Sequence, residues 1–162
     1  MTKAGDPDRN ETPTEQLDRN WGELLQELRV VQTGVQLLTG VLLTVPFQQR
    51  FRTASAEQHE IYLATVSAAL AATILFQAPV SLHRILFRLH ERRETVDLAH
   101  TMAMVGIVFL ALALDGAAVL VFDLTAGPVA GAIAGGVCGL GLIGLWAAVP
   151  LAHRHGRRRR LR

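Results

Sequence analysis

The sequence predicts an all-α, polytopic membrane protein: a bundle of four transmembrane helices preceded by an amphipathic helix. Three observations lead there. Of 162 residues, 50% are hydrophobic and 19% charged, and the mean hydropathy is +0.28. The charges gather in the first thirty residues, two loops and the tail, leaving four apolar stretches nearly free of them. Each stretch is long enough to cross a hydrocarbon layer about 30 Å thick.

Residues 1–11 are polar, contain Pro7 and show no apolar period, so a disordered tail is expected. Residues 1–20 have no apolar core of the kind a cleaved signal needs, so the first span is expected to direct insertion. Thr12, Pro13 and Glu15 form a helix-start signature, with a capping threonine, a proline at the first helical position and a capping-box glutamate. Leu17, Trp21, Leu24, Leu25 and Leu28 then recur every three or four residues, with Glu23 and Glu27 on the opposite side. This spacing predicts an amphipathic helix over 12–27, lying at the membrane surface or extending the first span into water.

The four spans, at 28–45, 61–80, 98–122 and 129–151, form one transmembrane domain over 28–151. The first is apolar but striped. At about 100° per residue, Arg29, Gln32, Thr33, Gln36, Gly40 and Thr44 share one side. Such a stripe should be hidden from lipid, because unpaired polar groups in hydrocarbon are costly. The second span carries Ala64, Ala68 and Ala72 four apart, a face for close helix contact, and is expected to break at Ala78–Pro79. The third holds a single acid well inside, Asp115, and the turn after it leads to Pro128 at the start of the fourth. Gly127, Gly131, Gly135 and Gly139 make three overlapping GxxxG steps. They predict tight packing against another helix, of the same chain or of a second copy. Residues 152–162 form a polybasic tail.

The composition excludes several function classes. No nucleophile–base pair, metal-ligand cluster or phosphate loop is visible, so neither an enzyme nor a bound cofactor or metal is expected. Cys138 is the only cysteine, which rules out an internal disulfide. Arg157, Arg158, Arg159 and Arg160 stand beside a membrane exit, so anionic lipid headgroups, rather than nucleic acid, are their expected partner. A flank that only fixes topology is the simpler reading of the same run.

Two intramembrane groupings carry chemistry. At the inner end, Glu27, Arg29, His83, Arg84, Asp97 and His100 can form a polar network. It is either an interfacial structure with snorkelling arginine or a proton entry point that uses histidine. Nearer the outer end, Asp115 is costly unless it is protonated, hydrogen-bonded or paired with a cation. Thr44 is expected at similar depth, and Gln32 and Gln36 could add oxygens to a proton- or ion-binding path. The competing reading is a carboxyl within reach of surface water.

Glu27-Leu28-Arg29-Val30 with Gln32, Gly34, Gln36 and Leu38 forms a motif in the first span. Pro46-Phe47, Arg50-Phe51, Tyr62-Leu63, Ala78-Pro79 and His83-Arg84 with Leu86-Phe87-Arg88 accompany it. Together they resemble a family of small uncharacterised four-span bacterial integral membrane proteins, sometimes labelled sodium/proton antiporters. The resemblance covers residues from about 15 to 123. It implies a multi-pass protein of the bacterial cell membrane that moves protons or cations as a homo-oligomer, and it carries over no catalytic residues. The alternative is a non-transport module in which the stripe is a helix-packing seam and the loops bind a partner or lipid.

Orientation follows from the arginines. The 81–97 loop holds Arg84, Arg88, Arg92 and Arg93 and the tail is basic, while the 123–128 turn has no basic residue. The positive-inside rule then places both termini and the 81–97 loop in the cytoplasm, with 46–60 and 123–128 outside. A reporter active only outside the cytoplasm should be active when fused after Ala56 and silent after Arg93. The opposite pattern would invert the topology.

Overall fold

The computed structural model describes residues 13–86 and 92–148. Four helices make it up: α1 (Pro13–Thr44), α2 (Ala56–Leu86), α3 (Arg92–Ala126) and α4 (Pro128–Ile143). Two 3-10 turns, Val45–Phe47 and Gln49–Thr53, join α1 to α2, and a π-helical turn, Gly144–Ala148, follows α4. Within these elements Arg29–Phe47, Ala56–Pro79, Leu98–Ala126 and Pro128–Trp146 are each long and apolar enough to cross a membrane. The chain is an all-α, multi-pass membrane protein. A helical bundle is the form a bilayer permits, because every backbone polar group is then satisfied within its own segment.

The surface helix and first span are one continuous helix, the second of the two expected forms, because no proline interrupts the sequence between Pro13 and Pro46. The elements differ from the expected boundaries in two places. The 81–97 region, expected as a loop, is mostly helix: α2 runs to Leu86 and α3 begins at Arg92. The break expected at Ala78–Pro79 does not occur, and Pro79 sits buried inside α2. A proline there removes the amide that Leu75 O would use and crowds that turn. Gln32 Nε2 of α1 donates to the neighbouring carbonyl, Phe76 O. This bond braces the carbonyl next to the freed one and does not replace the lost amide. Expectations for residues 1–12 and 149–162 lie outside the described residues.

α3 is the middle of the bundle, packed on α2 along one side and on α4 along another, while α1 leans chiefly on α2. The α2–α3 seam is made of small residues. Ala69, Ala72, Ala99 and Ala113 are fully buried, and Thr65 nearly so. A Cβ at Gly106 would lie 3.0 Å from the Phe76 ring, and one at Gly116 would collide with Thr65 Oγ1. The expected alanine face is thus rotated: Ala68 and Ala72 are buried, but Ala64 is exposed and Thr65 and Ala69 take its place.

At one end of the bundle the connection between α1 and α2 is an ordered cap. Phe51 is buried, with its ring 4.6 Å from that of His59 and 4.8 Å from that of Tyr62. Tyr62 Oη donates to Leu42 O and Arg50 Nε to Leu124 O, which ties the cap to α1 and α3. Ser55 and Gln58 cap α2 reciprocally, each backbone amide donating to the other's side chain.

The glycine run of α4 packs on α3 of the same chain. Gly131 and Gly135 are buried, and an added Cβ would lie 2.8 Å from Asp123 Cβ and 2.5 Å from Val119 Cγ2 respectively. Gly136, next in sequence, faces open space. Gly127 departs from the expected packing role: it precedes α4 with a φ of 92°, and a Cβ there would meet nothing within 4 Å. Its function is the turn, where a left-handed backbone favours glycine. Gly135→Leu should therefore destabilise the bundle by about 1–3 kcal/mol through overpacking, with Gly136→Leu nearly neutral. Denaturant unfolding in detergent, followed by circular dichroism, measures both. Equal losses would show that this face is not the seam.

Candidate functional site

Asp115 stands in α3 on the side that meets α4. Asp115, Val119 and Asp123 follow one another at four-residue intervals and meet Gly139, Gly135 and Gly131 in antiparallel order. Their i, i+4 spacing places them on one helix face. A Cβ added at Gly139 would lie 3.4 Å from Asp115 Oδ1, and one at Gly135 would lie 3.9 Å from Oδ2. The missing side chains of these glycines create the space that the carboxyl occupies. Cys138 of α4 lies near the carboxyl. Oδ1 is buried and has no hydrogen-bond partner among the described residues.

Depth makes this arrangement unusual. Within the span Leu98–Ala126, Asp115 is about 16 Å from the Ala126 end, at about 1.5 Å per residue. That is deeper than the sequence alone suggested, because α3 continues past Phe122 to Ala126. Neutral, the carboxyl needs one acceptor for its proton. Ionised, it needs a cation or several donors, and a buried polar atom without them is costly.

The expected companions of Asp115 lie elsewhere. Thr44 is exposed on α1 and donates to Val41 O of its own helix. Gln36 is exposed as well, and Gln32 turns to α2, where it holds Phe76 O. The stripe therefore does not enter the bundle as a unit. The buried face of α1 is instead Val35, Thr39 and Leu42. Thr39 Oγ1 donates to Val35 O and lies 3.3 Å from Thr73 Oγ1 of α2. Stripe residues Arg29, Thr33, Gly40 and Thr44 point away from α2, because the helix turns its more apolar face inward.

Of the inner-end network, Arg29 and His100 are exposed. The side chains of Glu27, His83, Arg84 and Asp97 lie outside the described residues, as do Arg157, Arg158, Arg159 and Arg160. Among the described residues no three His, Cys, Asp or Glu side chains gather into a metal-binding group. The residue that sequence reasoning missed is Cys138. Its signal was available, since it adjoins Gly139 on the helix whose glycine face receives Asp115.

Residues 10–150 match a family of unknown function (DUF6328), and the chain belongs to that family. No curated protein and no solved structure matches it.

An unpartnered oxygen contributes nothing to holding α3 against α4. Asp115→Asn keeps the shape of the side chain and removes its capacity for charge. It should leave unfolding in detergent unchanged or slightly more resistant, within about 0.5 kcal/mol. A clear loss of stability would reveal a structural partner for the carboxylate.

Proposed function

We propose that this protein is a small membrane transporter-like module in which Asp115 binds and releases a proton in exchange for a monovalent cation, acting as a homo-oligomer. The observation that carries the reading is the buried, unpartnered Oδ1 of Asp115 at membrane depth. A lone carboxyl so placed can be charge-balanced either by a proton or by a cation. The exchange is balanced: the carboxylic acid gives up H⁺ as the carboxylate accepts the cation, so the site stays neutral. Asp115 is the binding residue, and Cys138 positions the carboxyl and can donate to it. Gly135 and Gly139 leave room beside it and let α4 shift on α3 without a side-chain clash. The distribution of arginines supports cytoplasmic placement of both termini, with the 157–160 run against anionic lipid, and the family resemblance supports a bacterial cell membrane.

One observation favours a second reading, a scaffold that moves nothing: the polar groups of α1 do not converge on Asp115. Purified protein in liposomes, assayed for pH change driven by sodium or potassium gradients, separates the two. Wild type should couple cation and proton movement, and Asp115→Asn should abolish it while folding and reconstitution are unaffected. Flux that survives in the Asn variant would remove Asp115 as the binding residue. No flux in wild type would leave the scaffold.

A further inference from the structure

The outward face of α1 differs from every other described surface of the bundle. α2, α3 and α4 present mainly aliphatic residues outward, such as Leu63, Ile74, Val108, Leu112, Ile133 and Leu140. α1 presents Arg29, Thr33, Gln36, Gly40 and Leu43, all exposed, and the exposed Phe47 follows in the 3-10 turn after it. The five α1 residues are spaced four, three, four and three apart. That is the alternation of a coiled-coil seam, which keeps one face of a helix toward a parallel partner.

Gln36 is the decisive residue. It lies inside the span Arg29–Phe47, about 10 Å beyond Arg29 at about 1.5 Å per residue. Its neighbours are satisfied: Thr33 Oγ1 donates to Arg29 O, and Thr44 Oγ1 to Val41 O. Its own amide bonds to none of the described residues. Lipid offers neither donor nor acceptor for it. Gly40, one turn further out, has nothing within 4 Å of where a Cβ would be, so another backbone can come close there.

We infer that this face is a parallel homodimer seam, in which α1 of a second copy lies along Arg29, Thr33, Gln36, Gly40, Leu43 and Phe47. The occupant is a second copy because the chemistry is self-complementary. Two copies inserted with the same orientation and related by a two-fold axis along the membrane normal bring like residues together. A glutamine amide is both donor and acceptor, so each Gln36 N–H can donate to the other Gln36 carbonyl oxygen. Gly40 meets Gly40, the closest backbone approach on the face. The arginines at position 29 stand at the span's edge, where long side chains reach headgroups and diverge. A buried glutamine pair fixes register and orientation, as a single polar residue does in soluble coiled coils. This inference is independent of ion exchange at Asp115, which lies on the α3–α4 seam.

The test is cross-linking of the full chain in native membranes. Thr33→Cys and Leu43→Cys place thiols on the seam. Val41→Cys and Ile74→Cys place them on other exposed positions, and wild type, carrying Cys138 alone, is the blank. Mild oxidation should yield disulfide-linked dimers from the two seam variants and from neither control. Single-molecule counting in lipid should find wild type as a dimer. Gln36→Leu should weaken that dimer by about tenfold, and Gln36→Asn should restore part of it. Cross-links at the controls as strong as on the seam, or a wild-type monomer, would overturn the inference. So would seam thiols that join a different protein, or a Gln36→Leu dimer of undiminished strength. Liposome flux has no bearing on these outcomes.

Discussion

In lipid, helices gain little from burying apolar surface against one another, because the solvent is as apolar as they are. Close backbone approach, with the dispersion contacts it brings, is the constraint on which this structure depends. α3 satisfies it twice. Toward α2 it offers Gly106, Ala113 and Gly116 to Phe76, Ala69 and Thr65. Toward α4 it offers Val119 and Asp123 to Gly135 and Gly131. With both sides of α3 engaged, α1 leans chiefly on α2, so its remaining faces stay open.

The polar groups of the bundle fall into two kinds. Those of the α1–α2 seam are spent on structure. Gln32 holds a carbonyl of α2 beside Pro79, Thr39 and Thr73 meet across the seam, and Tyr62 anchors to Leu42 O. Asp115 and Gln36 are not spent. Among the described residues, one has a buried oxygen with no partner, and the other an exposed amide with none. Groups left unsatisfied at membrane depth cost stability and suggest a second participant. A proton or cation suits the carboxyl, and a second copy suits the amide.

The fold was legible because length and hydropathy are properties of a segment by itself. Four long apolar stretches with charges confined to their ends determine four spans, whatever packs against them. The same holds for Pro13 at the start of α1 and Pro128 at the start of α4. Asp115 also stood out as the lone acid in its span, and the GxxxG steps as a packing face. Segment ends were less legible. Pro79 promised a break, but α2 continues through it, with Gln32 of another helix holding Phe76 O one turn before.

What only the tertiary structure decided is how each helix is rotated about its axis. The α1 stripe could have faced inward to meet Asp115, and it does not, because Val35, Thr39 and Leu42 fit α2 better. The glycines of α4 could have met another copy, but they receive Asp115, Val119 and Asp123 of their own chain. Rotation belongs to a pair of surfaces and not to one segment. Periodicity therefore reveals that a helix has a polar face and a small-residue face, while the choice of neighbour for each follows from which backbones can approach most closely.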